Sequence, residues 1–182
     1  MDNFIEKTVS ELREKIGDKR VILGLSGGVD SSVAAGLLSR AVGDQLTCVF
    51  VDQGLMRKDE GDFVEKTFTS LFDMKFIRVN CQEHFLKALK GVTDPEEKRK
   101  IIGTEFYKVF WEEIRKQDEK GYFAQGTIYP DCIESGKGNA DKIKTHHNKV
   151  KMPDDIEFLD IIEPLSSLFK DEVRRVGEKL GI

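Results

Sequence analysis

Val21-Ile22-Leu23-Gly24-Leu25-Ser26-Gly27-Gly28-Val29-Asp30-Ser31-Ser32 decides how the rest of this chain is read. The stretch passes from an apolar run through a glycine-rich turn into Val33-Ala34-Ala35-Gly36-Leu37-Leu38, which has a helical pattern. A buried strand, a tight turn and a helix, in that order, is how a parallel α/β sheet presents backbone N–H groups to an anion. Gly27 and Gly28 let the chain bend with no Cβ in the way. The first turn of the helix, where Val29 and Asp30 lie, supplies unpaired N–H donors and the positive end of a dipole. Ser26, Ser31 and Ser32 add hydroxyls. The loop is expected to hold a phosphate group. It is not a Walker A loop, because it carries no lysine, and Gly24-Leu25-Ser26-Gly27 does not fit the dinucleotide fingerprint. A glycine turn with serine caps that binds nothing is the competing reading of the turn alone.

Outward from the loop, strands and helices alternate. Ile5, Val9, Leu12 and Ile16 recur at helical spacing over residues 3–16, with Gly17 suited to end that helix. The helix after the loop is expected to end at Gly43. Leu46 to Val51 reads as a second buried strand, Lys75 to Asn80 as a third, Tyr122 to Gln125 as a fourth and Phe158 to Ile162 as a fifth. Between them, Val64, Phe68, Leu71 and Phe72 mark one helix face, and Gln82 to Leu89 a short helix. A long helix opens at Pro95, capped by Asp94 with Glu97 at N3 and buried through Ile102, Phe106, Val109 and Ile114. A last helix begins near Leu168, and residues 127–156 are expected to be surface loop. The fold class is α/β, a parallel sheet of about five strands with helices on both faces. Ligands on such sheets bind at the carboxyl ends of the strands, near the topological switch point.

Composition narrows the function classes. The chain has 182 residues, 39% hydrophobic and 34% charged, with a formal net charge of -4. That suits one globular domain and gives no basic bias toward nucleic acid. No run approaches the ~20 apolar residues that span a bilayer. The start, Met1-Asp2-Asn3-Phe4, is no signal peptide, and the 3 cysteines form no C-x-x-C, so the cytoplasm is the expected compartment. None of Cys48, Cys81 and Cys132 sits in a recognisable nucleophile elbow. His146-His147 diverge as neighbours and His84 is far away in sequence, an unpromising metal set.

The loop, S-G-G-x-D-S-[ST] after a first strand, resembles the PP-loop of the ATP pyrophosphatases, which cleave ATP between the α and β phosphates. Further segments narrow the resemblance. They are Val51 to Arg57, Asp94 to Gly103, Gln125 to Asp131 with Ile133-Glu134-Ser135 beyond, Ile143 to Asn148, and Leu168 to Arg174. In this order they are similar to the ATP-pyrophosphatase domain of the GMP synthases, over nearly the whole chain. Two departures stand out. Lys149-Val150-Lys151-Met152-Pro153 replaces the family's Val-Gly-Gly-Leu-Pro, and residues 1–182 make up the ATP-pyrophosphatase domain without the C-terminal dimerisation domain that family members carry.

The resemblance implies an adenine-nucleotide α-hydrolase-like fold and a C–N ligase. The 2-oxygen of xanthosine monophosphate (XMP) attacks the α-phosphate of ATP, pyrophosphate leaves, and ammonia displaces AMP to give GMP. It also implies roles. Ser26, Gly27, Gly28, Val29, Asp30, Ser31, Ser32, Gly126, Thr127 and Lys170 would contact ATP, with Val51 beside the adenine. Asp30 and Lys170 would be catalytic, Asp30 the first candidate and Asp131 the second for Mg²⁺, and Arg99 would meet the XMP phosphate. Lys98-Arg99-Lys100 crowd a helix start whose dipole disfavours cations; a solvated helix face is the alternative. The family's pattern further implies a separate glutaminase subunit as ammonia source, the upstream 20 residues leaving no room for a fused one, and a homodimer in the full-length form. Nucleic acid and membrane are not expected partners. Another PP-loop enzyme, NAD synthetase-like or tRNA-thiolating, and a nucleotide-binding module without catalysis remain the alternatives.

Overall fold

The computed structural model describes residues 1–117, 121–134 and 153–182. In chain order its elements are α1 (Asp2–Ile16), β1 (Val21–Leu25), α2 (Val29–Val42), β2 (Leu46–Asp52), α3 (Glu60–Leu71), β3 (Lys75–Asn80), α4 (Gln82–Ala88), α5 (Pro95–Arg115), β4 (Tyr122–Ala124), α6 (Tyr129–Glu134), β5 (Ile161–Ile162) and α7 (Lys170–Leu180). The strands form one sheet in the order β3-β2-β1-β4-β5, and every pairing is parallel. The chain builds outward from β1 through β2 to β3, then crosses by way of α5 to start again on the other side at β4. The reversal puts the switch point between β1 and β4, and the phosphate loop follows β1 directly.

Alternation along the central strands divides the core in two. Leu23, Leu25, Cys48 and Phe50 face a layer that includes Leu12, Leu37, Phe68 and Val176, from α1, α2, α3 and α7. Ile22, Val49 and Val51 face the opposite layer, built on Phe85 of α4 and Phe110, Trp111 and Ile114 of α5. β2 is buried from end to end, which is why it is a continuous apolar run and not an alternating one.

The expected elements are present with shifted ends. β4 and β5 are shorter than their apolar runs, because pairing stops at Ala124 and covers only Ile161–Ile162. α7 starts at Lys170, with Phe169 as N-cap and its N–H held by Glu172 Oε2 at 2.9 Å. Asp94 caps α5 as expected, accepting from the Glu97 N–H at 2.8 Å. Two expectations are corrected. Leu71 is exposed instead of sharing the buried face of Val64 and Phe68. The stretch after Thr127 is not loop throughout, since residues 129–134 form α6, with Ile128 and Ile156 buried on either side of the gap. Ser135, His146, His147 and the 149–152 departure lie outside the described residues.

Candidate functional site

The turn between β1 and α2 is built on Gly27, whose φ of 77° falls in the left-handed region where a side chain is disfavoured. Gly28, at φ -83°, needs no such freedom. Its carbonyl accepts the first helical bond, from the Ser32 N–H at 3.1 Å, so the amides of Val29, Asp30 and Ser31 precede the ladder of α2. The serine hydroxyls tie the loop to itself. Ser32 Oγ donates to the Gly28 carbonyl at 2.8 Å and Ser31 Oγ to the same carbonyl at 3.1 Å. Ser26 Oγ lies 3.1 Å from Ser31 Oγ and accepts from the Gly28 N–H at 3.2 Å. Ser31 and Ser32 are buried, so their hydroxyls hold the loop's shape.

Two other strand ends meet this turn. Gly126, just past β4, lies so close to α2 that a Cβ on it would sit 3.0 Å from the Ser31 amide nitrogen and 3.1 Å from the Asp30 carbonyl carbon. Thr127 follows it, half-buried. Lys170, first residue of α7, reaches Asp30 and donates to both carboxylate oxygens at 2.8 and 2.7 Å. Loop, Gly126 and the Lys170–Asp30 pair thus converge at the carboxyl ends of β1 and β4. Val51 is buried one strand over, at the end of β2.

Asp131 and Arg99 are placed differently. Asp131 Oδ2 accepts the Ile128 N–H at 3.0 Å and so helps start α6. Arg99 is exposed and pairs with Glu96 on its own helix at 2.8 Å. His84 pairs with Glu105 at 2.7 Å. Among the described residues no group of three or more His, Cys, Asp or Glu side chains is arranged to hold a metal.

A polar cluster beside the loop escaped the sequence reading. Asp52, the last residue of β2, is buried, and its Oδ2 accepts from Arg78 of β3 at 2.6 and 3.2 Å. Its Oδ1 accepts the Gly54 N–H at 3.0 Å. Arg78 also donates to Asp62 at 2.6 Å and Glu65 at 3.0 Å, both on α3. Burial pushes the Asp52 carboxyl up, but the Arg78 and Gly54 hydrogen bonds hold it below the usual carboxylate range. An arginine in the middle of a β-strand, two positions from an exposed strand end, was the only sequence signal for this cluster. Of the cysteines, burial drives the Cys48 thiol far up, and burial with the nearby Asp52 charge takes Cys81 to about 11.

The comparisons with known proteins bear on the family and the fold. The family model described as NAD synthase matches residues 1–104. A GMP synthase [glutamine-hydrolyzing] of Ruminiclostridium cellulolyticum is 59% identical over 182 residues, 100% of this chain and 36% of the relative. One of Acetivibrio thermocellus is 62% identical over the same span. The chain therefore spans about a third of the length of the curated relatives it matches. Among solved structures, an NH3-dependent NAD synthetase of Campylobacter jejuni superposes with a TM-score of 0.69 at 17% identity, covering 99% of this chain and 73% of that one. The U34-tRNA thiolase NcsA of Methanococcus maripaludis gives 0.62 at 23% identity, over 100% and 65%. These last two bear on the fold alone.

The chain belongs to the NAD synthase family of α/β proteins. Within it, the PP-loop ATP-pyrophosphatase domain of the GMP synthases is what it matches from end to end. No helix among the described residues is long and apolar enough to cross a membrane.

Proposed function

We propose that residues 1–182 form the ATP-pyrophosphatase domain of a C–N ligase that activates XMP with ATP and aminates it to GMP. The observation that carries this is the convergence of the Gly27 turn, Gly126 and the Lys170–Asp30 pair at one end of the sheet. The relatives' names, GMP synthase, support GMP as the product.

In the proposed reaction the 2-oxygen of XMP bonds to the α-phosphorus of ATP, and the bond to the bridging oxygen breaks. Pyrophosphate carries the electron pair away. Ammonia then attacks the activated carbon, AMP leaves, and a proton is lost to solvent. No covalent nucleophile on the protein is needed. The amides of the loop through Ser31 and the Lys170 ammonium neutralise charge growing on the leaving pyrophosphate. Ser26, Ser31 and Ser32 keep those amides aimed, Thr127 lines the same wall, and backbone at Val51 receives the adenine. Arg99 holds the XMP phosphate from the start of α5.

Mg²⁺ fits the residues present. It keeps much of its water and takes few protein oxygens, and Asp30 offers a carboxylate at the phosphate loop. Asp131, whose Oδ2 accepts the Ile128 N–H, is the second candidate. Bound there, the ion would screen charge on the phosphate oxygens. The ammonia is proposed to come from a separate glutaminase subunit and the full-length protein to act as a homodimer in the cytoplasm. Burial holds the Cys48 and Cys81 thiols out of the range of the thiolate that glutamine hydrolysis needs, so neither is assigned that step.

Incubation with ATP, Mg²⁺ and ammonium, varying the acceptor, tests the reading. Pyrophosphate release that depends on XMP is the expected result. Release with nicotinic acid adenine dinucleotide or tRNA instead would transfer the chain to another PP-loop activity.

A further inference from the structure

The cluster around Arg78 lies outside the phosphate loop yet bears on it. Arg78 is the hub: its side chain is 20% exposed, that of Asp52 is 4% exposed, and three carboxylates converge on its guanidinium. Such a cluster ties three elements at once, the end of β2, the middle of β3 and the first two turns of α3. It also fixes the turn after β2, because Asp52 Oδ1 accepts the Gly54 N–H two residues on, an Asx turn. Gly61 lets α3 come this close, since a Cβ there would stand 2.6 Å from Asp52 Oδ2 and 2.7 Å from Arg78 Nη2.

The other side of this assembly is the wall of the phosphate loop. The atoms nearest a Cβ placed on Gly27 are Met56 Cε at 3.1 Å and Val64 Cγ2 at 3.8 Å. Val64 lies on α3 between Asp62 and Glu65, the two residues Arg78 holds. Met56 belongs to the segment that the Asp52–Gly54 turn launches. One guanidinium therefore sets both pieces of chain that bound the loop on its β2 side.

We propose that Arg78 is a positioning residue of the nucleotide site, holding α3 and the segment after β2 against Gly27 so that the phosphate loop keeps the shape that receives the pyrophosphate end of ATP. The inference rests on the ATP reading above. It assigns Arg78 no contact with phosphate; its effect reaches the ligand through Val64 and Met56 at Gly27, and so falls on the pyrophosphate end.

Titration calorimetry on the full chain with Mg²⁺, using ATP, AMP and inorganic pyrophosphate as probes, tests it. Arg78→Lys keeps the charge but loses the planar fork. Asp62→Asn with Glu65→Gln releases α3 while leaving Asp52 paired with Arg78. In both variants ATP and pyrophosphate should bind about tenfold more weakly, with AMP within about twofold of wild type. A purely structural Arg78 would lower the melting temperature and leave the affinities for ATP and pyrophosphate unchanged. Unchanged pyrophosphate affinity in the double variant overturns the proposal, whether or not Arg78→Lys folds. Wild-type protein that binds pyrophosphate and ATP sustains the ATP reading even then; wild-type protein that binds neither brings down both.

Discussion

Lys170 Nζ donates to both carboxylate oxygens of Asp30, joining the first residue of α7 to the first turn of α2 across 140 residues of chain. The pair is partly open to solvent, at 45% and 28% side-chain exposure. Ion pairs of that kind contribute about 0–1 kcal/mol to stability. Its place at the phosphate loop matters more than its strength.

Lys170→Ala should therefore shift the melting temperature by only a few degrees while weakening ATP about tenfold or more, the usual effect of losing a charge-assisted contact. Asp30→Asn should instead raise the Mg²⁺ concentration needed for half-maximal pyrophosphate release. Thermal melts and release assays across a magnesium series check both. A large fall in stability with intact ATP binding would make the pair a structural tie.

Gly126→Ala tests the close packing of β4's exit on α2. The atoms a methyl group would meet are backbone, at 3.0 to 3.2 Å, so the phosphate loop itself must move. Overpacking of this sort costs about 1–3 kcal/mol. Lower stability and weaker ATP binding should appear together. Gly103→Ala in α5 is the control, because nothing lies within 4 Å of its added Cβ. It should be neutral or stabilising by up to about 1 kcal/mol.

Asp52 gives a pH prediction. Its carboxyl is held below the usual range in the folded state, so the unfolded chain takes up the proton first as pH falls. The stability it supplies is complete above the ordinary carboxylate range and is lost as pH drops through the lower folded value. Asp52→Asn should cost about 1–3 kcal/mol at pH 7 and flatten the acid limb of the stability curve. Denaturant melts from pH 7 downward would show it. Parallel curves for the two proteins would mean that Asp52 does not titrate with folding.

The frame of the molecule was legible because strand, loop and helix are written in local pattern. The buried runs Val21–Leu25 and Leu46–Asp52, and the cap at Asp94, follow from residue type and spacing alone. Less legible was what depends on partners distant in sequence. That the Ser31 and Ser32 hydroxyls donate to the Gly28 carbonyl is a choice set by the fold of the turn. That Asp131 accepts the Ile128 N–H at the start of α6 depends on a turn no residue type announces. The Asp52–Arg78 cluster joins residues 26 apart in sequence, and no local motif announces it.

Arg99 is the residue on which sequence and structure pull hardest against each other. Its charge sits near the start of α5, where the dipole disfavours cations, and Lys98 and Lys100 flank it. The structure supplies one local answer, the Glu96 pair at 2.8 Å. At 75% and 81% side-chain exposure, an i,i+3 pair of this kind is worth about 0.2–0.5 kcal/mol, less than the dipole cost of three cations. Arg99→Ala should accordingly leave stability within about 0.5 kcal/mol, so that any change in ligand binding is not secondary to unfolding. If Arg99 meets the phosphate of XMP, XMP should weaken about tenfold to a hundredfold while ATP is unchanged. Lys should rescue only in part if the contact is a planar fork. Titrating each nucleotide separately against wild type, Arg99→Ala and Arg99→Lys in the longest form of the protein decides between the readings. Loss confined to XMP supports the acceptor-phosphate assignment, loss confined to ATP moves Arg99 to the other nucleotide, and no loss for either leaves it a solvated face paired with Glu96.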